Sequence, residues 1–391
     1  MGQMRDDRCM EGRWCHHGHG SHASERSLVI DELDSKSNEI YEKHRISPLG
    51  VSIVRFDLIK ASSTRHRLIL KLSHAQYDGF CARTFGQHLR LLYFSLPLPR
   101  TLPFHEYARK IQEPELIHEA ETYWQEYLKN SQMPTLVRRI RSGPPFNNTL
   151  DGELRRSITE PNLLSHGVTS AALVKTAWAL TISLLSQSMD VVFGDFIAGH
   201  QMPIPGVETV VGPCVNFIPL RVRLSNITNL ELMQRVKADL ISAIPYESLG
   251  FKHIIQNCTS WGQDERFSSI INFVNIETAS FGREIWHIDD DGNKLEMNSI
   301  YKETQFDKTD LWLLCLPGHL ASKPGSATES GGKTLGLYFR YSRKVYHAGA
   351  IDKIANIYCQ ALNTLVTALD AKVFIPPILG KERSSLVPTA N

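Results

Sequence analysis

Arg67-Leu68-Ile69-Leu70-Lys71-Leu72-Ser73-His74-Ala75-Gln76-Tyr77-Asp78-Gly79 is the stretch on which the reading of this chain turns. Strand side chains alternate between faces, so Leu68, Leu70, Leu72 and His74 share one side while Ile69 and Lys71 take the other. The apolar row ends in an imidazole. From Gly79 onward the spacing of Phe85, Leu89 and Leu92 predicts a helix, and Asp78 stands where its N-cap belongs. A helix N-terminus leaves backbone N–H groups unpaired and partly positive, so the Gly79 amide could receive charge developing on an oxyanion. A base and an oxyanion donor are neighbours in sequence.

His followed four positions later by Asp is a cheap pattern, and the chain contains a second copy, His287-Ile288-Asp289-Asp290-Asp291-Gly292. That copy follows Trp286 alone, lies in an acidic run and has no apolar helix behind it, so it reads as a turn. The first copy differs because a strand leads into it and a helix leaves it. The bland reading of that copy is a satisfied core histidine with a capping aspartate.

The 391 residues suggest two domains or lobes, and 42% apolar with 21% charged residues is ordinary for a globular protein. A net charge of +2 gives no electrostatic case for a nucleic-acid partner. No apolar run reaches the roughly 18 residues of a membrane helix, and no secretory signal opens the chain, so a cytoplasmic location is expected. Seven cysteines, an odd number, show neither Cys-x-x-Cys nor disulfide-framework spacing, which predicts reduced thiols.

Residues 1–26 pack Cys9, Cys15, His16, His17, His19 and His22 between Gly, Arg and Ser. Their spacing is not that of a zinc site and no apolar residues surround them, so a disordered His-rich tail is expected and no metal is assigned. From Ser27 helices and strands alternate: a weak helix over 28–41, then a strand over 51–60 paired with residues 67–74 through the turn at 61–65. Next come the helix after Asp78, broken by Pro97, Pro99 and Pro103, and a helix over 114–128. Residues 130–152 read as a linker. Beyond it, Thr169 caps a helix to about Ser188, followed by strands at 190–194 and 214–224 and a helix at 230–244. Further strands at 268–276, 311–316 and 334–342 precede a C-terminal helix over 347–369. The expected organisation is a tail (1–26), a first lobe (27–150), a second lobe (151–375) and a second tail (376–391).

Ser73-His-Ala-Gln-Tyr-Asp-Gly79 resembles the His-His-x-x-x-Asp-Gly signature of nonribosomal peptide synthetase condensation domains, in the Ser-His form common in fungal enzymes. Ala120 to Leu128 is similar to the helix that closes the first lobe of that family. Thr169 to Leu180 with Val191-Val-Phe-Gly194 is similar to the helix and strand that open the second. Gly199, then Ile204 to Val222 with Gly212-Pro-Cys-Val-Asn216-Phe-Ile-Pro-Leu-Arg221, resembles the second-lobe signature Gly-Pro-x-x-Asn-x-x-Pro-x-Arg. Tyr246 to Phe251 and Cys258 to Trp261 also resemble fungal members, so the likeness spans residues 28 to 370.

The resemblance implies an α/β fold of two chloramphenicol-acetyltransferase-like lobes, a V-shaped pseudo-dimer with a central channel. It implies a condensation-type acyltransferase that forms an amide bond, or cyclises a chain, from a carrier-bound acyl or peptidyl thioester in fungal nonribosomal peptide biosynthesis. The partners are then acyl or peptidyl carrier domains of a nonribosomal peptide or hybrid polyketide synthetase. They bring 4'-phosphopantetheine, while this chain, a monomer, binds no cofactor or metal itself. His74 carries over as proton acceptor or positioner of the amine, Gly79 as backbone oxyanion donor and Asp78 as organiser of the loop. Ser73 stands beside His74 at the channel. Asn216 shares a strand face with Ile218, Leu220 and Val222, which places it by the channel or leaves it a satisfied buried amide.

Two departures accompany these matches. Ser73 replaces the first His of the signature. The family's opening strand and helix, and a His-x-x-Leu-Arg element that supplies an arginine to the signature Asp, have no counterpart before Ser27, so the first lobe reads as abbreviated. Arg55 on the neighbouring strand is the substitute partner that the sequence offers Asp78. Two other classes compete: a coenzyme A-dependent acyltransferase of the His-x-x-x-Asp class, whose usual Asp-Phe-Gly-Trp-Gly string is missing here, and a catalytically degenerate carrier-docking fragment.

Overall fold

The structure is a computed structural model that describes residues 35–37, 39–40, 54–60, 66–72, 75–134, 136, 138–139, 149–224, 226–274, 284–287, 294–297, 309–317, 334–375 and 389–390. The chain divides into two compact units, one of residues 1–77 with 279–300 and one of residues 78–278 with 301–391. The division thus falls at Tyr77/Asp78, and the three helices after Asp78, expected in a lobe of residues 27–150, belong to the second unit instead. The His-rich tail and nearly all of 376–391 lie outside the described residues.

In the first unit, β1 (Val54–Lys60) and β2 (His66–Leu72) form the expected antiparallel hairpin, with Val54 opposite Leu72, Phe56 opposite Leu70 and Leu58 opposite Leu68. Period-two alternation puts those six apolar residues on one face. Arg55 lies on the other face and pairs with Asp57 at 2.7 Å. Residues 35–37 and 39–40 are helical, within the expected helix over 28–41. The second His-x-x-x-Asp-Gly copy starts at a hairpin, because Glu284–His287 pairs antiparallel with Lys294–Met297 and His287 faces Lys294. Its Asp289 to Gly292 lie outside the described residues.

The second unit is built on a six-stranded mixed sheet of β3 (Gly152–Thr159), β4 (Asp190–Ile197), β5 (Asn216–Arg223), β6 (Ile270–Phe273), β7 (Leu311–Pro317) and β8 (Thr334–Tyr341). The strand order is β3-β8-β7-β6-β4-β5, with β6 parallel to both β4 and β7 and the other neighbours antiparallel. Its helices are α1 (Gly79–Tyr93), α2 (Phe104–Lys110), α3 (Pro114–Tyr127), α4 (Ser170–Ser186), α5 (Asn229–Ala243), α6 (Phe251–Cys258) and α7 (Ala348–Thr367).

Helix α4 sits at the centre of the core. Thirteen of its 17 residues are buried, the all-round burial of a helix enclosed by other elements. Thr169 caps it by accepting from the Ala172 amide, and the Thr176 and Thr181 hydroxyls donate to the carbonyls of Ala172 and Ala177, so these buried hydroxyls are satisfied within the helix. Against α4 pack α7 and the inner side of the sheet, through Trp178, Tyr358, Phe193, Leu313, Leu337 and Phe339. Each such side chain contributes about 1.5–3 kcal/mol on leaving water.

A second cluster joins α3 to α6 under the end of β5, around Trp124, Ala120, Leu249 and Ile254, with the Trp124 indole donating to the Tyr246 carbonyl at 3.1 Å. Among the described residues, five cysteines are free thiols and no helix is long and apolar enough to cross a membrane.

Candidate active site

Asp78 is the N-cap of α1, and its extended backbone (φ −121°, ψ 178°) turns the carboxylate back over the helix start. One oxygen, Oδ1, accepts from the Cys81 amide at 2.8 Å. The Asp78 amide in turn donates to Cys81 Sγ at 3.2 Å, a capping box in which a thiol replaces the usual Glu or Gln. Gly79 is the first residue of α1, one of the positions whose amide has no partner inside the helix.

The second oxygen, Oδ2, reaches far along the sequence. It accepts from the Cys214 amide at 2.9 Å, and His200 Nε2 lies 3.3 Å away. The other ring nitrogen of His200, Nδ1, faces the Val207 carbonyl at 3.1 Å, and the Phe80 ring stacks on the imidazole with centroids 4.2 Å apart. Both side chains are sealed, 1% exposed for His200 and 0% for Asp78. Burial pushes the Asp78 carboxyl up, but the His200 contact and the Cys81 and Cys214 amides outweigh it and hold the group below its ordinary value. The partner of the signature aspartate is therefore a histidine of the loop after β4, while Arg55 pairs with Asp57.

Gly199 makes this loop possible. Its φ of +72° is a left-handed conformation, and a β-carbon there would stand 2.0 Å from the Cys214 carbonyl oxygen. The close approach of the two backbones brings His200 and the Cys214 amide to the same carboxylate oxygen.

Asp78, His200 and Cys214 bring one ligand atom each within 4.8 Å of the others. Their chemistry is that of a hydrogen-bonded clamp rather than a metal centre. Asp78 Oδ2 already has two partners, and burial, reinforced by the Asp78 charge, pushes the Cys214 thiol up to about 12, far from the thiolate a metal requires.

Asn216 opens β5 opposite Ile197 and shares the face of Ile218. Its Nδ2 donates to the carbonyls of Glu247 and Leu249, at 2.8 and 3.3 Å, and its Oδ1 accepts from the Phe217 amide. The amide braces the turn between α5 and α6 against the sheet. Close to that turn, Lys175 Nζ meets Asp195 Oδ2 at 2.6 Å, both buried. Burial and the Asp195 charge push the Glu247 carboxyl up to about 8. Ser73 and His74 lie outside the described residues.

Sequence reasoning missed His200 and Cys214. The available signal was Gly199-His200 followed by Gly212-Pro-Cys214, inside the stretch that carried the second-lobe resemblance. Nothing local in it indicates that two of its groups converge on a residue more than 120 positions earlier.

Among relatives, the nonribosomal peptide synthetase apmB of Penicillium brevicompactum is 34% identical over 67% of the chain, and nlsA of Emericella nidulans 29% identical over 85%. The chain spans only 11% and 5% of those two proteins. A solved structure called CT covers 88% of the chain at 22% identity with a TM-score of 0.65, matched over 73% of its own length. The X-domain from teicoplanin biosynthesis covers 88% at 15% identity with a TM-score of 0.63, matched over 79% of its own length. At such identities these two likenesses establish the α/β fold alone. The family model described as Condensation domain matches residues 26–382, and the chain belongs to the condensation domain family.

Proposed function

We propose that the chain catalyses amide-forming condensation on carrier-bound thioesters in fungal nonribosomal peptide biosynthesis. An amine nucleophile attacks the thioester carbonyl, a C–N bond forms, the C–S bond breaks, and the carrier thiol leaves with the proton that the amine gives up. His74 takes that proton or holds the amine, since a neutral imidazole is a competent acceptor near neutral pH. The Gly79 amide donates to the oxygen on which negative charge develops, and Asp78 keeps that amide at the helix start. Correct placement alone supplies several kcal/mol of such a barrier.

The observation that carries this reading is the sealed clamp on Asp78, which fixes the start of α1 at the Asp-Gly end of the Ser73-His-x-x-x-Asp-Gly motif in a chain of this family. A buried carboxylate held by three groups at that one turn is a costly arrangement for a surface loop and a reasonable one for an amide that must not move. The relatives named above are nonribosomal peptide synthetases, which supports carrier domains as partners and their phosphopantetheine arms as the substrate bearers.

The test is to incubate the protein with carrier domains loaded with candidate acyl groups and follow products by intact-mass spectrometry, wild type beside His74→Ala. Carrier-dependent product that His74→Ala fails to make supports the proposal. Turnover with free acyl-coenzyme A but not with loaded carriers would reassign the chain to the coenzyme A-dependent class. Carrier binding without turnover, unchanged in His74→Ala, would leave a docking module.

A further inference from the structure

Both ring nitrogens of His200 face oxygen acceptors, the Val207 carbonyl at Nδ1 and the Asp78 carboxylate at Nε2. A neutral imidazole has one N–H, so it would leave one nitrogen lone pair aimed at an oxygen lone pair. Water cannot relieve that conflict where the side chain is 1% exposed. With Asp78 held ionised, its carboxyl lowered by the surrounding donors, only a ring donating from both nitrogens satisfies every contact. The other titratable groups around the pair are Cys81 on α1, Cys214 before β5 and, through Cys214, Tyr107 on α2, and none of these carries positive charge.

We propose that His200 is a positioning residue of the condensation reaction, an imidazolium strapped between the Val207 carbonyl and the Asp78 carboxylate that locks the Asp78-Gly79 turn. This rests on the function proposed above and adds to it a control point. The ring carries a charge that it loses when it gives up a proton, so the placement of the Gly79 amide follows the protonation of a side chain sealed from solvent. Phe80, stacked on the imidazole, belongs to the first turn of α1 and couples ring and helix directly.

Histidine-selective ¹⁵N labelling tests the ring itself. The expected result is two protonated nitrogens for His200 at pH 7, in a signal that is absent from His200→Gln and altered in Asp78→Asn. A single protonated nitrogen at pH 7 would overturn the proposal. The amide resonance of Gly79 supplies a second readout that needs no turnover: it should shift in His200→Gln and return toward the wild-type position in His200→Lys, which restores a cation. An unmoved Gly79 amide would also overturn it.

Where carrier-dependent turnover is measurable, His200→Gln should lower kcat by about 100-fold with little change in KM, the effect of misplacing a catalytic group by about an ångström. The wild-type rate should fall across the pH range in which the NMR signal of His200 loses its proton, and the variant should lack that limb. Equal kcat and an equal pH profile would leave His200 merely structural. If the wild type turns over no carrier substrate at all, the proposed function fails, while the ring and Gly79 resonances still decide whether His200 holds the turn.

Discussion

The α-carbon of Gly199 and the carbonyl of Cys214 approach so closely that a β-carbon at position 199 would stand 2.0 Å from the oxygen. The two ends of the connection from β4 to β5 touch there, and the contact sets where the Cys214 amide and the His200 ring meet Asp78. Gly199→Ala should therefore destabilise the protein by about 2 kcal/mol or more, from steric overlap added to an unfavourable φ. Chemical denaturation measures this, and an unchanged midpoint would show that the loop gives way freely.

Asp78→Asn keeps an oxygen for the Cys81 amide but removes the negative charge opposite His200. Breaking one side of a buried pair costs about 3–5 kcal/mol. The sign with pH follows from the lowered pKa of Asp78. Its stabilisation is complete above the ordinary carboxylate range and disappears as pH falls through the depressed folded value. The gap between wild type and variant should thus be wide at pH 7 and close in strong acid, as read from unfolding curves at several pH values. A gap constant with pH would contradict an ionised Asp78.

Glu247 behaves in the opposite sense. With its folded pKa raised from 4.5 to about 8, the group favours folding fully below its unfolded value and progressively loses that contribution as pH climbs to 8. Glu247→Gln mimics the protonated acid and does not titrate. The variant should gain on wild type between pH 5 and pH 8, by at most about 1.4 kcal/mol per unit. Parallel melting curves across that range would exclude a protonated Glu247.

Lys175→Met leaves Asp195 buried without its cation, and a loss of about 3–5 kcal/mol is expected. Adding Asp195→Leu removes the stranded charge and should recover most of the loss. A double variant as unstable as the single one would mean that Lys175 matters for shape rather than charge.

The hairpin β1–β2, the capped start of α1 and the helix after Thr169 were legible because each is written in local periodicity closed by a turn or a cap. Strand β3 was not: Gly152-Glu-Leu-Arg-Arg-Ser-Ile-Thr159 places Arg156 on the inner side between Leu154 and Ile158, and an arginine there hides the alternation. That arginine reaches Asp352 on α7, a partner almost two hundred residues away. Helices α2 and α6 were also unread, being only seven and eight residues long. Within the site, the capping role of Asp78 was readable from its neighbours, whereas its charge partner was not. The sequence offered Arg55 because it stood nearby, while folding delivered His200 through a contact that depends on Gly199 lacking a side chain. Lys175 in an otherwise apolar helix was the one visible hint of a buried acid elsewhere.

The antiparallel pairing of β3 with β8 sets Gly152 against Tyr341 and Thr159 against Thr334. On a ribosome, the earlier strand must wait for some 180 further residues before its neighbour emerges, with the apolar Leu154 and Ile158 lacking a sheet to join until then. Synthesis of this unit thus includes a prolonged interval in which an unpaired strand with an apolar face is open to wrong partners.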